Sequence, residues 1–225
     1  GNTRKTLWTT TYDIEELPQV IQPKSGYFYN ANHSPFKSTD SIENPKKNEF
    51  SENMGFELYD NNRSTRLKEL IDQYDKLDYT EFKKIKFDKQ FPNPFNYSWM
   101  DIDSLFLMNP SDYPKIEPIL KSIQSWDRIA SAESYGAGVY GVLYSKLRKY
   151  YNNLPDPKIF TTSVLEKALT ESLQHIIKYF GSNEVKLGSF QKLVRGDKEL
   201  PIFGLPDVIS SMGTAPYKEG MRKVI

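Results

Sequence analysis

The residues best suited to chemistry lie at positions 26–35, where the aromatic run Tyr-Phe-Tyr changes abruptly to Asn-Ala-Asn-His-Ser-Pro. The aromatic run predicts a strand, and the small polar residues after it predict a strand end or a turn. Residues at i and i+2 share one face of a strand, so Asn30 and Asn32 are predicted to point the same way. An Asn amide donates hydrogen bonds without a titrating charge, which suits it to stabilising an oxyanion during acyl transfer.

The same residue types are also typical of ordinary surface turns, so their spacing alone leaves a purely structural interpretation open. His33 stands beside Asn32, but no Ser-His-acid pattern is visible, and we do not predict it to be a catalytic base. His175 lies within an amphipathic stretch that has no second ligand at metal-binding spacing. The residues therefore predict no metal site and no cofactor.

The overall composition excludes several classes of partner. The chain has 225 residues, with 30 basic and 29 acidic side chains and a formal net charge of +1, so a nucleic-acid partner is not predicted. It contains no cysteine, which rules out disulfides and thiolate metal sites. No apolar run approaches the roughly 18 residues that a membrane-spanning helix requires.

Periodicity and breakers divide the chain into three parts, which we expect to belong to one larger domain. Residues 1–62 are predicted to be extended and strand segments with a long polar loop, residues 63–180 to be helical, and residues 181–225 to be a Gly/Pro-rich irregular tail without a core of its own. The predicted fold class is mainly α or α+β, a helical layer with a few short strands at the ends.

The first predicted helix covers residues 63–77, because apolar residues recur there at helical spacing. Arg63 would stand at its start, where a cation opposes the helix dipole by roughly a few tenths of a kcal/mol unless an anion or carbonyl compensates it. Further helices are predicted from a capping box at Asp78, over 98–108, 113–123 and 134–151, and from Ser163 to a helix-ending Gly181.

Several blocks spread along the chain resemble the penicillin amidase family, and in particular its acyl-homoserine-lactone acylase-like members. The blocks follow one another in the family's order: residues 16–26, the N-x-N-x-x-P segment at 30–35, Asn-Arg-Ser-Thr-Arg-Leu at 62–67, Trp-Asp at 126–127, Arg-Gly-Asp at 195–197, Leu-Pro at 200–201 and Gly-Leu-Pro-Asp at 204–207. Each block is short, and the specificity of the resemblance comes from their order over residues 15–212.

The resemblance implies an N-terminal-nucleophile hydrolase with a four-layer αββα core, of which this chain would be an internal fragment of the β chain. In that family a terminal Ser or Cys attacks the amide, and its own α-amino group acts as the base. Gly1 has no side chain that could attack, so we expect the nucleophile to lie upstream and the isolated fragment to be inactive. The resemblance assigns oxyanion donation to Asn32 and support of the catalytic centre to Arg63.

The function implied is removal of an acyl group from an amine-bearing core of the penicillin, homoserine lactone or lipopeptide type, with a role in antibiotic biosynthesis among the possibilities. The implied partners are the α chain, the rest of the β chain and a small acylated substrate, and the implied location is the periplasm or the exterior. Some relatives bind calcium through carboxylates after the N-x-N-x-x-P segment, but Asp40 and Glu43 cannot be assigned to such a site from the sequence. A non-catalytic interaction module that retains an acylase-like sequence remains the alternative.

Overall fold

A computed structural model describes residues 10–98, 100–153 and 161–212, together with the backbone of two strands at Thr214–Pro216 and Arg222–Val224. The chain divides between Asp60 and Asn61 into two compact units. We describe each unit by itself. The extended segment predicted for residues 1–11 lies almost entirely outside the described residues.

The described part of the first unit, residues 10–60, contains neither an α-helix nor a strand. Its regular structure is a series of short 3-10 helices at Ile14–Glu16, Pro35–Lys37, Ser41–Glu43, Lys47–Glu49 and Glu52–Met54. The strand predicted at Tyr27 to Tyr29 is therefore wrong, and Phe28 is 74% exposed instead of buried. Single hydrogen bonds from Tyr29 N–H to the Ser38 carbonyl and from the Thr39 hydroxyl to the Tyr27 carbonyl take the place of a ladder.

The second unit is mainly helical, as predicted, and carries its strands at the C-terminal end. Its helices are α1 (Asn62–Ile71), α2 (Tyr79–Lys86), α3 (Glu117–Gln124), α4 (Tyr135–Asn153), α5 (Thr162–Phe180) and α6 (Leu187–Phe190). Strands β1 (Gln191–Arg195), β2 (Lys198–Pro201), β3 (Thr214–Pro216) and β4 (Arg222–Val224) form one sheet in the order β2-β1-β4-β3. The β1–β2 and β3–β4 pairs are antiparallel, whereas β1 and β4 are parallel.

Three predicted helix boundaries need correction. Helix α1 ends at Ile71 rather than at residue 77, because i to i+3 hydrogen bonds from Gln73 and Tyr74 tighten and close its last turn. Over 98–108, leaving aside position 99, the structure has a 3-10 helix at Asp103–Phe106 instead of the predicted longer helix. Helix α3 begins at Glu117, later than predicted, because Pro118 is tolerated only in the first turn of a helix.

Helix α4 lies at the centre of the core, and Gly138 lets neighbouring backbone approach it closely. A Cβ on Gly138 would lie 1.8 Å from the carbonyl oxygen of Val185, so no larger residue fits there without displacing the chain before α6. The chain beyond Gly181 also contributes to this core, although we expected an irregular tail there. Its buried apolar side chains are Val185, Leu187, Phe190, Leu205 and Val208.

Candidate functional site

Asn32 occupies an Asx turn rather than the face of a strand. The side-chain oxygen of Asn30 accepts the backbone N–H of Asn32 at 2.7 Å, and Asn32 adopts a left-handed conformation with φ of +54°. Asn is one of the few residues other than Gly that visits this region readily. Asn30 therefore builds the turn, which contradicts the prediction that both amides face one ligand, while the exposed side chain of Asn32 is carried at the tip.

His33 holds this turn in place, because both of its ring nitrogens are engaged with backbone groups. Its Nδ1 accepts the backbone N–H of Ala31 at 3.1 Å, and its Nε2 lies 2.9 Å from the carbonyl oxygen of Lys37. Because Nδ1 accepts a hydrogen bond, Nε2 is the ring nitrogen that donates, to the Lys37 carbonyl oxygen. The ring also stacks on Tyr29, with centroids 4.8 Å apart, so buried His33 fixes the path of the chain around Asn32.

The loop after the turn is held by two polar side chains. The amide oxygen of Asn44 accepts the backbone N–H groups of Ser38 and Thr39, at 2.7 and 3.0 Å. The carboxylate of Glu43 accepts the backbone N–H groups of Lys24 and Ser25, at 2.5 and 2.9 Å, and the bonds from Ser25 are the main reason that the pKa of Glu43 is lowered. Both carboxylate oxygens of Glu43 thus accept backbone N–H groups. In the part of the chain that the structure describes, His, Asp and Glu side chains nowhere form a group of three or more that could hold a metal ion.

The same loop encloses a pocket of about 310 Å³ within the first unit. Phe36 and Phe56 meet edge to face at a centroid distance of 5.9 Å, and Phe50 meets Phe56 in the same manner at 6.4 Å. Leu58 completes the apolar wall, and the remaining lining residues are Lys47, Ser51 and Glu52. The pocket has the size of a small-molecule site, which begins at roughly 300 Å³.

Arg63 lies in the second unit, in the first turn of α1. Asn61 caps this helix: its side chain accepts Ser64 N–H, and the Ser64 hydroxyl accepts Asn61 N–H, each at 2.9 Å. The side chain of Arg63 is 28% exposed and forms a salt bridge from Nε to Oδ1 of Asp207 at 3.2 Å. Asp207 is therefore the anion that compensates a cation at the positive end of the helix dipole.

The second oxygen of Asp207 also belongs to the helix start. Its Oδ2 accepts both the backbone N–H of Asn62 at 3.1 Å and the side-chain amide of Asn62 at 2.7 Å. Asn62 is completely buried, and its own side-chain oxygen accepts Asn96 N–H at 2.7 Å. The amide of Asn96 then donates to the hydroxyl of Thr65 at 2.8 Å. Asn62, Arg63, Thr65, Asn96 and Asp207 thus form one network around the start of α1.

The turn that carries Asp207 is anchored on several sides. Gly204 N–H donates to the Ala130 carbonyl at 2.8 Å, and the buried side chain of Gln191 donates to the Gly204 carbonyl at 2.5 Å. Leu205 and Val208, on either side of the acid, are buried in the core. The position of the carboxylate is therefore fixed by the core of the second unit rather than by a mobile surface loop.

Two hydrogen-bonded tyrosines, the buried Tyr140 and the partly buried Tyr97, lie near this network. The hydroxyls of Tyr97 and Tyr140 are 2.7 Å apart. Burial raises the pKa of both hydroxyls well above the ordinary value, and the negative charge of Asp207 contributes to the rise. Both groups are therefore neutral at physiological pH and serve as hydrogen-bonding core rather than as acids or bases.

The two residues predicted for the site belong to different units, Asn32 to the first and Arg63 to the second. Two further residues of the Arg63 network, Asn62 and Asp207, were not predicted to have a role, although both lie in blocks that resemble the family. Trp126 packs in the core, and Asp127 accepts Ile129 N–H at 2.9 Å in an Asx turn.

The second unit thus carries an arginine held by a salt bridge at the start of a helix, and the first unit carries an exposed asparagine at a turn. In the comparison with protein families, the model of the penicillin amidase family matches residues 1–218. The chain belongs to the penicillin amidase family, whose members hydrolyse amide bonds. No curated protein matches the chain. Within the described residues, no helix combines the length and the apolar character needed to cross a membrane.

Proposed function

We propose that this chain is part of an acylase that hydrolyses the linear amide bond between an acyl group and an amine-bearing core of the penicillin, homoserine lactone or lipopeptide type. The observation that supports this most directly is the salt bridge that clamps Arg63 at the start of α1, in a chain matched to the penicillin amidase family over residues 1–218. The longer protein would act in the periplasm or outside the cell, as the family generally does.

In this proposal the attacking group is a terminal Ser or Cys outside residues 1–225, and its α-amino group takes the proton. Attack on the carbonyl carbon places a negative charge on the carbonyl oxygen, and the amide of Asn32 donates a hydrogen bond to that oxygen. Collapse of the intermediate breaks the C–N bond, the amine leaves with the proton that the α-amino group held, and water then hydrolyses the acyl ester or thioester. Arg63 orients the surroundings of the nucleophile. The partners are the α chain and the remaining β-chain segments.

The direct test is an acylase assay on the longer protein, expressed with its preceding segment and matured, beside the isolated 225-residue chain. Release of free amine is measured with an aryl-acyl penicillin, an acyl-homoserine lactone and an acylated lipopeptide. We expect the matured protein to hydrolyse at least one of them and the isolated chain to hydrolyse none. Turnover by the isolated chain that depends on Asn32 would refute the proposal that the nucleophile lies outside residues 1–225. Failure of the matured protein on all three would favour a non-catalytic interaction module.

A matched pair of arginine variants tests the role of Arg63. Arg63→Ala should lower kcat by about 10- to 100-fold, a loss of roughly 1.4 to 2.7 kcal/mol of transition-state stabilisation. Arg66 lies one turn further along α1 and pairs with Asp88 at 3.1 Å, so Arg66→Ala removes a comparable ion pair without touching the helix start. Arg66→Ala should lower stability but leave turnover per folded molecule within about threefold. Equal kcat losses in both variants would remove Arg63 from the proposal.

A further inference from the structure

We infer that Asp207 is a positioning residue for Arg63 in the acylase reaction. The inference rests on the proposed function and adds to it a residue 144 positions further along the chain. Asp207 contacts the Nε of Arg63 rather than only the end of its side chain, and a contact at Nε fixes the orientation of the guanidinium plane.

The carboxylate of Asp207 is itself held before it meets Arg63. The backbone N–H and the side-chain amide of Asn62 both donate to Oδ2 of Asp207. The other oxygen, Oδ1, therefore faces Nε of Arg63. Asn62 is fully buried and cannot reorient without losing its bond from Asn96 N–H. The chain of contacts from Asn96 through Asn62 and Asp207 to Arg63 therefore ends in one orientation of the guanidinium group.

The backbone of Asp207 also indicates that this orientation is specified. Asp207 has a φ of +70°, a left-handed conformation that costs a non-glycine residue roughly 1–2 kcal/mol relative to ordinary backbone. Gly204 in the same turn has a φ of +94°, and a Cβ there would lie 2.4 Å from the Ser210 carbonyl oxygen. A turn anchored on the core at Ala130 and Gln191 over-determines this conformation, so the strained residue stays in place with its carboxylate directed at α1.

The ion pair between Arg63 and Asp207 is more buried than an ordinary surface ion pair. The side chains of Arg63 and Asp207 are 28% and 17% exposed, so their attraction is screened less than that of exposed charges. The chain offers a close match in Arg66, which lies on the same helix as Arg63, and its partner Asp88; their side chains are 17% and 16% exposed. Asp88→Asn is thus a control of equal chemistry that leaves the start of α1 intact.

The test uses the matured full-length acylase and Asp207→Asn. An Asn side chain has one acceptor oxygen, so it can satisfy either the Asn62 donors or Arg63 Nε but not both sets. We expect kcat to fall by about 10- to 100-fold with KM little changed. Asp88→Asn should stay within about twofold of the parent while losing similar thermal stability. If Asp207 acts through Arg63, then Arg63→Ala combined with Asp207→Asn will be no slower than Arg63→Ala alone.

A second measurement does not depend on activity. The ¹⁵N relaxation of the Arg63 Nε–H signal in the same protein should show a rigid side chain in the parent and in Asp88→Asn, and a mobile one in Asp207→Asn. An unchanged Nε signal in Asp207→Asn, or losses of kcat that multiply in the double variant, would overturn the positioning role. An inactive parent would instead overturn the proposed function, while the relaxation data would still decide whether Asp207 holds Arg63.

Discussion

Replacing Asn32 by glycine is the sharpest test of its role, because the structure shows which part of the residue each substitution removes. If the amide donates to the oxyanion, its loss should lower kcat by roughly 100- to 1,000-fold, or about 2.7 to 4 kcal/mol of transition-state stabilisation. The effect on KM should be smaller, since the interaction forms mainly in the transition state. Asn32→Ala and Asn32→Gly both remove the amide and should be equally slow.

Measurements of stability distinguish an oxyanion donor at position 32 from a residue with a purely structural role. At a φ of +54°, alanine costs roughly 1–2 kcal/mol, whereas glycine adopts the conformation readily. The hydrogen bond from Asn32 N–H to the Asn30 side chain involves only the backbone of Asn32 and survives in both variants. If Asn32 has only a structural role in the turn, Asn32→Ala should lower the melting temperature and Asn32→Gly should not. Turnover should then be nearly intact in both variants.

The assay must compare processed protein, because a variant that fails to mature would be inactive for an unrelated reason. Chain sizes establish that maturation has occurred, and active-site titration gives turnover per competent molecule. Processed Asn32→Gly that turns over within about threefold of the parent, a difference under roughly 0.7 kcal/mol, would show that Asn32 is not the oxyanion donor.

Three further predictions concern the scaffold. Gly138→Ala should destabilise the protein by about 1–3 kcal/mol or more in thermal unfolding, because its Cβ would lie 1.8 Å from a backbone oxygen, whereas Gly141→Ala, whose closest contacts are side chains at 3.3 Å, should cost less; equal losses would refute the packing argument. Because the pKa values of Tyr97 and Tyr140 are raised, their neutral forms stabilise the folded protein. This stabilisation is fully present below the ordinary pKa of 10.0 and is lost as pH rises above it. Replacing both by Phe should flatten the alkaline unfolding profile, while Tyr135→Phe, at an exposed residue, should leave it unchanged. The lowered pKa of Glu43 contributes stability above the ordinary value of 4.5 that is lost as pH falls through the lowered value, so Glu43→Gln should flatten the acid profile more than Glu49→Gln.

Local signals in the sequence were sufficient for several helices of the second unit. The capping box of α2 forms as predicted: the Asp78 side chain accepts Glu81 N–H at 2.8 Å, and the Glu81 side chain accepts Asp78 N–H at 2.9 Å. Gly181 ends α5 in the left-handed conformation expected of a residue just past a helix. These features depend on residues only a few positions apart, so the sequence contains all the information they need.

The aromatic run near Asn32 shows why the strand prediction failed. Tyr27, Phe28 and Tyr29 have the propensity for a strand, but a strand exists only when another segment supplies a hydrogen-bonding ladder. The described part of the first unit supplies none, and the loop at Ser38 and Thr39 satisfies single backbone groups instead. Propensity indicated an extended chain and could not indicate the missing partner.

Helix α1 shows a second limit, since periodicity assumes that the apolar stripe is the buried face. Leu67, Leu70 and Ile71 are only partly buried, whereas the polar residues Asn62 and Ser64 are fully buried. Burial of polar groups requires that each find a partner, and in the described residues every buried side-chain nitrogen and oxygen has one. The position of α1 therefore depends on the network at its start more than on its apolar stripe.

That network also explains why the sequence could indicate Arg63 but not Asp207. An arginine in the first turn of a helix is mildly unfavourable unless an anion or a carbonyl compensates it, and the family resemblance singled out Arg63 as a residue with a role. The chain has 29 acidic residues, and nothing in helical or strand periods distinguishes the one that lies 144 positions away. What distinguishes Asp207 is that it combines a charge, a residue type with some tolerance for positive φ and a neighbouring glycine turn anchored on the core. A cation at a helix start therefore predicts a compensating partner, and only the fold identifies that partner as the Asp after the Gly-x-Pro turn.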